Sequence, residues 1–172
     1  ALHCRTVRAL GREALEIRQP DQLDHVDALV LPGGESTTIA MGLEREGLIE
    51  PIRAFAKQGK PVFGTCAGMV LLGNGHLGLI DIDVERNAYG RQIHSFETDI
   101  QVDSLDGDPV RSLFIRAPKV IRAGSSVEVL AHLEGAPVFV RQGSVSAISF
   151  HPELLGETRI HGLALGSTVP AG

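Results

Sequence analysis

The sequence predicts an α/β domain with a mostly parallel central sheet, helices on both faces, and an added antiparallel portion in the second half. In roughly the first 80 residues, apolar runs alternate with helical segments, as in βαβ units. Later, short strand-like runs are broken by Gly, Asp and Pro instead. A length of 172 residues with 43% apolar residues suits one domain with a sizeable core.

The first half of the chain supplies the parallel part of the prediction. Residues 3–15 are predicted to form a helix, because apolar and arginine side chains fall on opposite sides. Glu16–Arg18 is a short candidate strand. The apolar run Asp27–Leu31 is followed by glycines and is typical of a strand buried on both faces. Helices are expected from about Ser36 and from about Glu50.

The parallel part continues with a strand over residues 61–64, a turn at Cys66 and a helix that carries Met69–Leu72. The second half of the chain supplies the antiparallel part. A final helix is expected over about 157–165. Between these helices lie six strand-like runs: Ile80–Val84, Ser95–Val102, Leu113–Ile115, Val127–Leu130, Val138–Arg141 and Ser144–Phe150.

Charge and composition argue against several classes of function. Sixteen basic and 21 acidic residues give a net charge of −5. No long block of either sign occurs, which argues against a nucleic-acid or anionic-membrane surface. The sequence has neither a membrane-span-length apolar run nor a signal-peptide pattern. The two cysteines form no disulfide framework and no zinc-type cluster. We therefore expect a reducing cytoplasm, no metal and no cofactor.

A turn of small residues presents the thiol of Cys66 directly after an apolar run. Gly64–Gly68 has the form Gly-x-Cys-x-Gly, which matches the glycine-flanked nucleophile turn of serine hydrolases. A helix that begins after Cys66 favours negative charge on the sulfur, and the amide of Ala67 can donate to an oxyanion. The alternative is a buried structural cysteine beside packing glycines.

A histidine and a glutamate close the last strand-like run. His151 and Glu153 flank Pro152, and alternate residues of an extended segment point the same way. The carboxylate can then fix the imidazole tautomer while the other ring nitrogen faces the thiol. Alone, this tripeptide suits a surface turn. Together with the turn at Cys66, it indicates Cys-His-Glu nucleophilic catalysis.

The loop Pro32–Gly34 is the third element of the predicted site. Adjacent glycines after a buried strand let the backbone turn an N–H into a cavity. Such a loop can bind phosphate or form half of an oxyanion hole. The phosphate interpretation is weak, because no Gly-Lys-Ser/Thr follows as in a P-loop. Ser36 is also a candidate helix N-cap.

Five motifs follow one another in the order found in a known family. They are Leu31–Thr37 (LPGGEST), Gly64–Gly68 (GTCAG), Glu85–Gln92 (ERNAYGRQ), Phe114–Pro118 (FIRAP) and Ser149–Leu154 (SFHPEL). Together they resemble the glutaminase subunits of two-component pyridoxal 5′-phosphate synthases, a branch of the class I, triad-type glutamine amidotransferases. The resemblance covers most of the chain, from about Glu16 to about Ile160.

The resemblance implies a fold, an activity and a partner. It implies a three-layer, flavodoxin-like fold and hydrolysis of L-glutamine, with the ammonia passed to a TIM-barrel synthase subunit in a large hetero-oligomer. By motif matching, Cys66 is the nucleophile, His151 the base and Glu153 its orienter. The amides of Gly34 and Ala67 are the matching oxyanion donors.

The resemblance also implies the residues that bind L-glutamine. They are Gly34, Glu35, Ser36, Arg86, Ile115 and Arg116. Arginine suits this task, because a guanidinium can hold the carboxylate of a free amino acid in a two-pronged contact. We expect a single glutamine amidotransferase domain over residues 1–172 that lacks the short apolar first strand of the family.

Two other functions remain open at this point. One is a glutaminase subunit for another synthase, such as the imidazole glycerol phosphate system; the motifs at Leu31–Thr37 and Glu85–Gln92 argue against it. The other is a non-catalytic, degraded amidotransferase-like subunit that only binds its partner. The missing first strand favours the second alternative more than any site residue does.

Overall fold

A mixed five-stranded sheet forms the centre of the structure, a computed structural model that describes residues 2–86 and 95–166. The strands are β1 (Leu29–Leu31), β2 (Val62–Thr65), β3 (Ile82–Glu85), β4 (Ser95–Ile100), β5 (Val110–Ile115), β6 (Lys119–Ala123), β7 (Glu128–Leu133), β8 (Ala136–Gln142) and β9 (Val145–Ile148). The helices are α1 (Leu2–Ala9), α2 (Ser36–Arg45), α3 (Ile49–Lys57), α4 (Ala67–Leu72) and α5 (Arg159–Ala164). Two 3₁₀ helices cover Pro20–His25 and Pro152–Leu155.

The central sheet has the order β1-β2-β9-β8-β7. The pairs β1–β2 and β2–β9 are parallel, whereas β8 pairs antiparallel with both β9 and β7. Reversing direction twice brings β7 back to the direction of β9, so only β8 opposes the other strands. Two further antiparallel pairs, β3–β6 and β4–β5, lie outside this sheet. The predicted fold class, mostly parallel with an added antiparallel portion, is confirmed.

Apolar side chains cover both faces of the central sheet. Along β2, Val62 packs in one core cluster and Phe63 in the other, because successive strand residues point to opposite faces. The first cluster includes Ile52 of α3 and Leu72 of α4, and the second includes Ile160 of α5. Helices on both faces exclude water from β2 and β9, the strands that lead into the site.

The segment between α1 and β1 differs from its prediction. The helix predicted over residues 3–15 ends at Ala9, where Gly11 adopts a φ of +78° that a continuing helix cannot accommodate. Glu16–Arg18 was predicted to be a strand, which is wrong. The backbone N–H of Arg18 instead donates to the side chain of Gln22 at 2.6 Å, so a local side chain takes the place of a neighbouring strand.

One strand was missed, and β6 shows why. Lys119–Ala123 directly follows Pro118, and its central apolar residue Ile121 is exposed. The segment therefore lacks a buried apolar residue at every second position and shows no period-2 pattern. The segment forms a strand because it pairs with β3, which is distant in the sequence.

Candidate active site

The site lies at the carboxyl ends of two neighbouring parallel strands. Cys66 directly follows β2, and His151 follows β9 after two residues. Because β2 and β9 are parallel neighbours, both residues come to the same edge of the sheet. The N–H of Cys66 donates to the carbonyl of Ile148 at 2.8 Å, and the N–H of His151 donates to that of Leu113 at 2.8 Å. The sheet thus brings together two residues that are far apart in sequence.

The turn at Cys66 is held in a conformation that L-residues rarely adopt. Cys66 has φ 54° and ψ −107° and lies between β2 and α4. A Cβ on Gly68 would lie 2.3 Å from the carbonyl oxygen of Leu31, and one on Gly64 would lie 2.6 Å from the backbone of Gly68. Only glycine fits these two positions, so the glycine-flanked turn predicted from sequence has a steric cause.

The imidazole of His151 is paired with the carboxylate of Glu153. His151 Nδ1 lies 2.7 Å from Glu153 Oε1, and the glutamate side chain is only 5% exposed. The backbone reason differs from the prediction. Glu153 lies in the first turn of the 3₁₀ helix Pro152–Leu155 rather than in an extended segment. The predicted proximity holds, but a helical turn produces it.

Charge in the site favours a protonated imidazole. Burial disfavours the charged ring of His151, but hydrogen bonds to Cys66 and Glu153 outweigh it and raise the pKa of His151 to about 9. Burial of Glu153 likewise opposes ionisation, yet the hydrogen bond from His151 keeps the pKa of that carboxyl below its usual value. At neutral pH the site therefore holds an imidazolium between the sulfur and a carboxylate.

Gly33 lies next to the reacting groups. A Cβ on Gly33 would lie 2.9 Å from His151 Cε1 and 3.5 Å from Cys66 Cβ. Sequence analysis named only Gly34 of this pair as a site residue. Gly34 follows with φ +136°, a backbone conformation that favours glycine. Two adjacent glycines were therefore a usable signal for both positions.

Glu35 is the N-cap of α2, and the candidate N-cap Ser36 is instead its first residue. The Glu35 carboxylate accepts the backbone N–H groups of Thr37 and Thr38 at 2.9 and 2.7 Å. Hydrogen bonds from the hydroxyl and amide groups of these threonines lower the pKa of Glu35 to about 2. Ser36 is buried at the start of the helix. The position after Gly34 is thus fixed by a charged cap.

Arg86 is brought to the same loop. Its guanidinium donates to the Thr37 hydroxyl at 3.0 Å and lies 4.0 Å from Glu35 Oε1. The Arg86 side chain is about half exposed, at 47%, so it remains accessible from solvent. The rest of the motif that Arg86 opens, residues 87–92, lies outside the described residues.

Ile115 and Arg116 approach the site from the end of β5. The thiol of Cys66 is 3.8 Å from the carbonyl oxygen of Ile115. Arg116 has φ 44°, the left-handed region, and its side chain is exposed. Such a conformation ends the strand next to the thiol, and strained residues of this kind cluster at functional sites. The structure thus places the FIRAP motif next to the nucleophile turn.

Two histidines that belong to none of the five motifs, His3 and His161, also lie at this site. His3 Nε2 is 3.6 Å from Glu153 Oε1, and His3 Nδ1 is 2.9 Å from Nε2 of His161. The two histidines are 158 positions apart in sequence, so no local pattern could have indicated the contact. Across residues 2–86 and 95–166, no group of three or more His, Cys, Asp or Glu side chains is arranged to hold a metal ion.

Comparison with known families decides the class of protein. The sequence model of the SNO glutamine amidotransferase family matches residues 1–169. The chain belongs to the SNO glutamine amidotransferase family. The enzyme class and the resemblance inferred from the five motifs are thereby confirmed.

Curated relatives agree with the assignment to the SNO family. The chain is 49% identical to the pyridoxal 5'-phosphate synthase subunit PdxT of Pelotomaculum thermopropionicum, which covers 99% of this chain and 90% of that protein. It is 51% identical to the same subunit of Frankia alni, over 94% of this chain and 85% of that protein. Such coverage means that the similarity is not confined to the site.

Solved structures show the fold of the family. A crystal structure of a glutamine amidotransferase matches with a TM-score of 0.90 at 43% identity, covering 96% of this chain and 91% of that one. The structure of PurLQS from Thermotoga maritima matches with a TM-score of 0.71 at 20% identity, over 91% and 85% of the two chains. The second likeness concerns the fold alone. Among the residues that the structure describes, no helix has the length and apolarity needed to cross a bilayer.

Proposed function

We propose that this SNO-family chain is the glutaminase subunit of a pyridoxal 5′-phosphate synthase. It hydrolyses L-glutamine to L-glutamate and ammonia and delivers the ammonia to a synthase subunit. The observation that carries this proposal is the contact of Cys66, His151 and Glu153 at the carboxyl ends of β2 and β9. The PdxT relatives, near 50% identity, support the choice of synthase.

In the first half of the proposed reaction, Cys66 is acylated. Its sulfur attacks the side-chain amide carbon of glutamine, and the carbonyl oxygen becomes an oxyanion that the amides of Gly34 and Ala67 stabilise. His151 then gives its proton to the amide nitrogen, the C–N bond breaks, and ammonia leaves. A pKa of about 9 suits this task, because the ring holds a proton at neutral pH.

In the second half, water hydrolyses the γ-glutamyl thioester. Neutral His151 takes a proton from the water as the oxygen attacks, and the C–S bond breaks to release glutamate and restore the sulfur. Glu153 accepts from Nδ1 throughout, so Nε2 is the nitrogen that exchanges protons. The same imidazole therefore acts first as an acid and then as a base.

Binding of free glutamine is assigned to the exposed edge of the site. Arg86 and Arg116 have accessible guanidinium groups that suit the α-carboxylate. Glu35 keeps a negative charge at neutral pH and suits the α-ammonium group. Ser36 and Ile115 would contribute contacts from the start of α2 and the end of β5. No cofactor takes part in this scheme.

The proposed partner is a TIM-barrel synthase subunit in a large hetero-oligomer, and the proposed compartment is the cytoplasm. A free thiol nucleophile persists in a reducing compartment, which supports that location. We propose one amidotransferase domain over residues 1–172. The two core clusters both contain residues of the single central sheet, which supports a shared core.

Ammonia release from glutamine, with and without a pyridoxal 5′-phosphate synthase subunit, tests the proposal. Cys66→Ala is expected to lower the rate at least ~10³-fold, because the nucleophile is lost. Cys4→Ala is the matched control and should behave as the wild type. Binding of the synthase subunit, followed by analytical ultracentrifugation, should be unchanged in both. Full activity of Cys66→Ala would overturn the mechanism, and no response to the synthase would overturn the choice of partner.

A further inference from the structure

The carboxylate of Glu153 faces a second imidazole besides that of His151. Oε1 of Glu153 lies 2.7 Å from His151 Nδ1 and 3.6 Å from Nε2 of His3. Its other oxygen, Oε2, is buried and has no hydrogen-bond partner among the described residues. A buried carboxylate with one strong hydrogen bond is under-solvated, so the neighbouring imidazole is electrostatically important to it.

His3 itself is held by two neighbours. Its Nε2 lies 3.2 Å from the hydroxyl of Thr65, and its Nδ1 lies 2.9 Å from Nε2 of His161. His161 is fully buried in α5, and its Nδ1 has no hydrogen-bond partner within the described ranges. Each ring nitrogen of His3 therefore contacts a group that water does not reach.

The direction of the hydrogen bonds follows from the charge on Glu153. Either His161 donates to His3, which leaves an N–H on His3 Nε2, or His3 donates to His161, which leaves a lone pair on Nε2. A lone pair on Nε2 can accept from the Thr65 hydroxyl, but it would also face the carboxylate of Glu153 and be repelled. The first arrangement also leaves a bare lone pair rather than an N–H at the partnerless Nδ1 of His161. Both considerations place the N–H on His3 Nε2.

Both rings are neutral at neutral pH, as this arrangement requires. Burial lowers the pKa of His161 to about 4. Burial is also the largest influence on His3, and it lowers the pKa of that ring despite the nearby Glu153. Two neutral imidazoles in series can share one hydrogen bond, whereas two imidazolium ions at this distance would repel each other.

We propose that His3 is a positioning residue for the triad: its Nε2–H, oriented by His161, holds Glu153 and Thr65 in place together. Thr65 directly precedes Cys66, and Glu153 directly contacts His151. His3 therefore links the strand that carries the nucleophile to the carboxylate that orients the base. The inference rests on the function proposed above, because it gives His3 a role through that triad.

The test compares variants of His3 in the complex with the synthase subunit. His3→Leu removes both ring nitrogens. His3→Gln keeps a donor near the position of Nε2, and His3→Asn reaches only the position of Nδ1. The matched control is His25→Leu, the same chemical change at an exposed histidine of the first 3₁₀ helix. Each variant is measured for kcat, KM for glutamine, melting temperature and binding of the synthase subunit.

The expected result is a loss in kcat with an unchanged KM. Misplacement of a catalytic group by about 1 Å can cost about 10²-fold in rate, so His3→Leu and His3→Asn should lose about tenfold or more in kcat. KM should stay within about twofold, because His3 positions the triad rather than the substrate. His3→Gln should recover kcat to within about threefold of the wild type, and His25→Leu should match the wild type.

Each contrary result has a definite meaning. Wild-type kcat in a folded His3→Leu or His3→Asn would overturn the proposal, and so would a His3→Gln as slow as His3→Asn. If His3→Leu does not fold, the comparison of Asn with Gln decides. Cys66→Ala is run in the same assay. If it is active, the proposed function fails; if it is inactive while all His3 variants are fully active, only the role of His3 fails.

Discussion

The turn that carries Cys66 and the rim of the site are built by different kinds of contact. We use "rim" for the exposed side chains of Glu35, Arg86 and Arg116. The turn is buried, and its glycines lie against backbone atoms. Glu35 and Arg86 of the rim are held by polar contacts with the start of α2, such as the hydrogen bond from Arg86 to Thr37.

The two kinds of contact determine which features of the site can adjust. Backbone packed against backbone has one arrangement, so the position of the Cys66 sulfur is set when the sheet forms. Exposed charged side chains can reorganise at little cost, because water replaces their contacts. The turn is thus suited to hold reacting atoms, and the rim is suited to admit and release a small polar substrate.

Substitution of Gly68 by Ala should have the largest effect on the buried turn. The added Cβ would lie 2.3 Å from the Leu31 carbonyl oxygen, an atom that cannot move without displacing β1. We expect a loss of roughly 3 kcal/mol or more in the free energy of unfolding, together with loss of glutaminase activity. Urea unfolding followed by circular dichroism measures this loss.

Gly42→Ala is the matched control for this change. Gly42 lies inside α2, and the nearest atom to an added Cβ is 4.0 Å away at the end of the Arg45 side chain. Ala in a helix interior should stabilise the protein by about 0.5–1 kcal/mol. Equal stability of Gly68→Ala and the wild type would show that β1 does not confine the turn.

The stability of the folded protein should depend on pH through the buried side chain of His161, and His161→Gln tests this. Burial lowers the pKa of His161 from 6.5 to about 4, so the folded protein disfavours its charged form. Its contribution to stability is present above pH 6.5 and is lost as pH falls through about 4. The full contribution is about 3 kcal/mol at 1.4 kcal/mol per pKa unit. Gln retains a donor to His3 but cannot titrate.

Urea midpoints measured at several pH values check this prediction. His161→Gln should lose less stability than the wild type on acidification across this range, whereas the two slopes should agree above pH 7. Glu153, His3 and the surface carboxylates titrate in both proteins, so the difference isolates His161. If both proteins lose the same stability as the pH falls from 6.5 to about 4, His161 is not a neutral, buried residue.

Gly33→Ala should damage catalysis more than stability. The added Cβ would lie 2.9 Å from His151 Cε1, which belongs to a side chain that can shift. A displacement of the imidazole by a fraction of an ångström should lower kcat up to about 10²-fold while the melting temperature changes little. Steady-state kinetics and thermal melting separate these effects. A large drop in melting temperature with normal kcat would place Gly33 in the fold rather than the site.

Arg86→Ala should have the smallest effect of the four and act on substrate binding. We expect KM for glutamine to rise about tenfold, because one charge-assisted contact to the substrate is lost. The free energy of unfolding should stay within about 0.5 kcal/mol, as is usual for exposed positions. Arg18→Ala, at an exposed arginine away from the site, is the control. An unchanged KM would show that Arg86 does not bind the substrate.

Sequence patterns predicted the elements that local rules determine. The helix expected from about Ser36 is α2, the strand-like run Ser95–Val102 contains β4, and the Gly-x-Cys-x-Gly pattern predicted the turn at Cys66. The pairing of His151 with Glu153 was also predicted, although a 3₁₀ turn rather than an extended strand produces it. The contact between two functional groups that are close in sequence can thus be predicted even when the local conformation is predicted wrongly.

Features that depend on contacts between residues distant in the sequence could not be predicted from local patterns. The contact of His3 with His161 joins the two ends of the chain through the sheet. Gly33 acquires its role only because β9 brings His151 to the loop after β1. Glu16–Arg18 has strand-like composition, but Gln22 satisfies the Arg18 N–H instead of a neighbouring strand. These features follow from tertiary packing, which one sequence does not encode in a local pattern.

Site-resolved labelling with a glutamine-analogue electrophile is the decisive test of whether Cys66 is the nucleophile. By exposure alone Cys4 should react first, because Cys66 is buried and Cys4 is partly exposed. We predict that mass spectrometry will find the label on Cys66 and not on Cys4, that glutamine will protect Cys66, and that His151→Ala will abolish its labelling. Label on Cys4 with Cys66 unmodified would contradict the account.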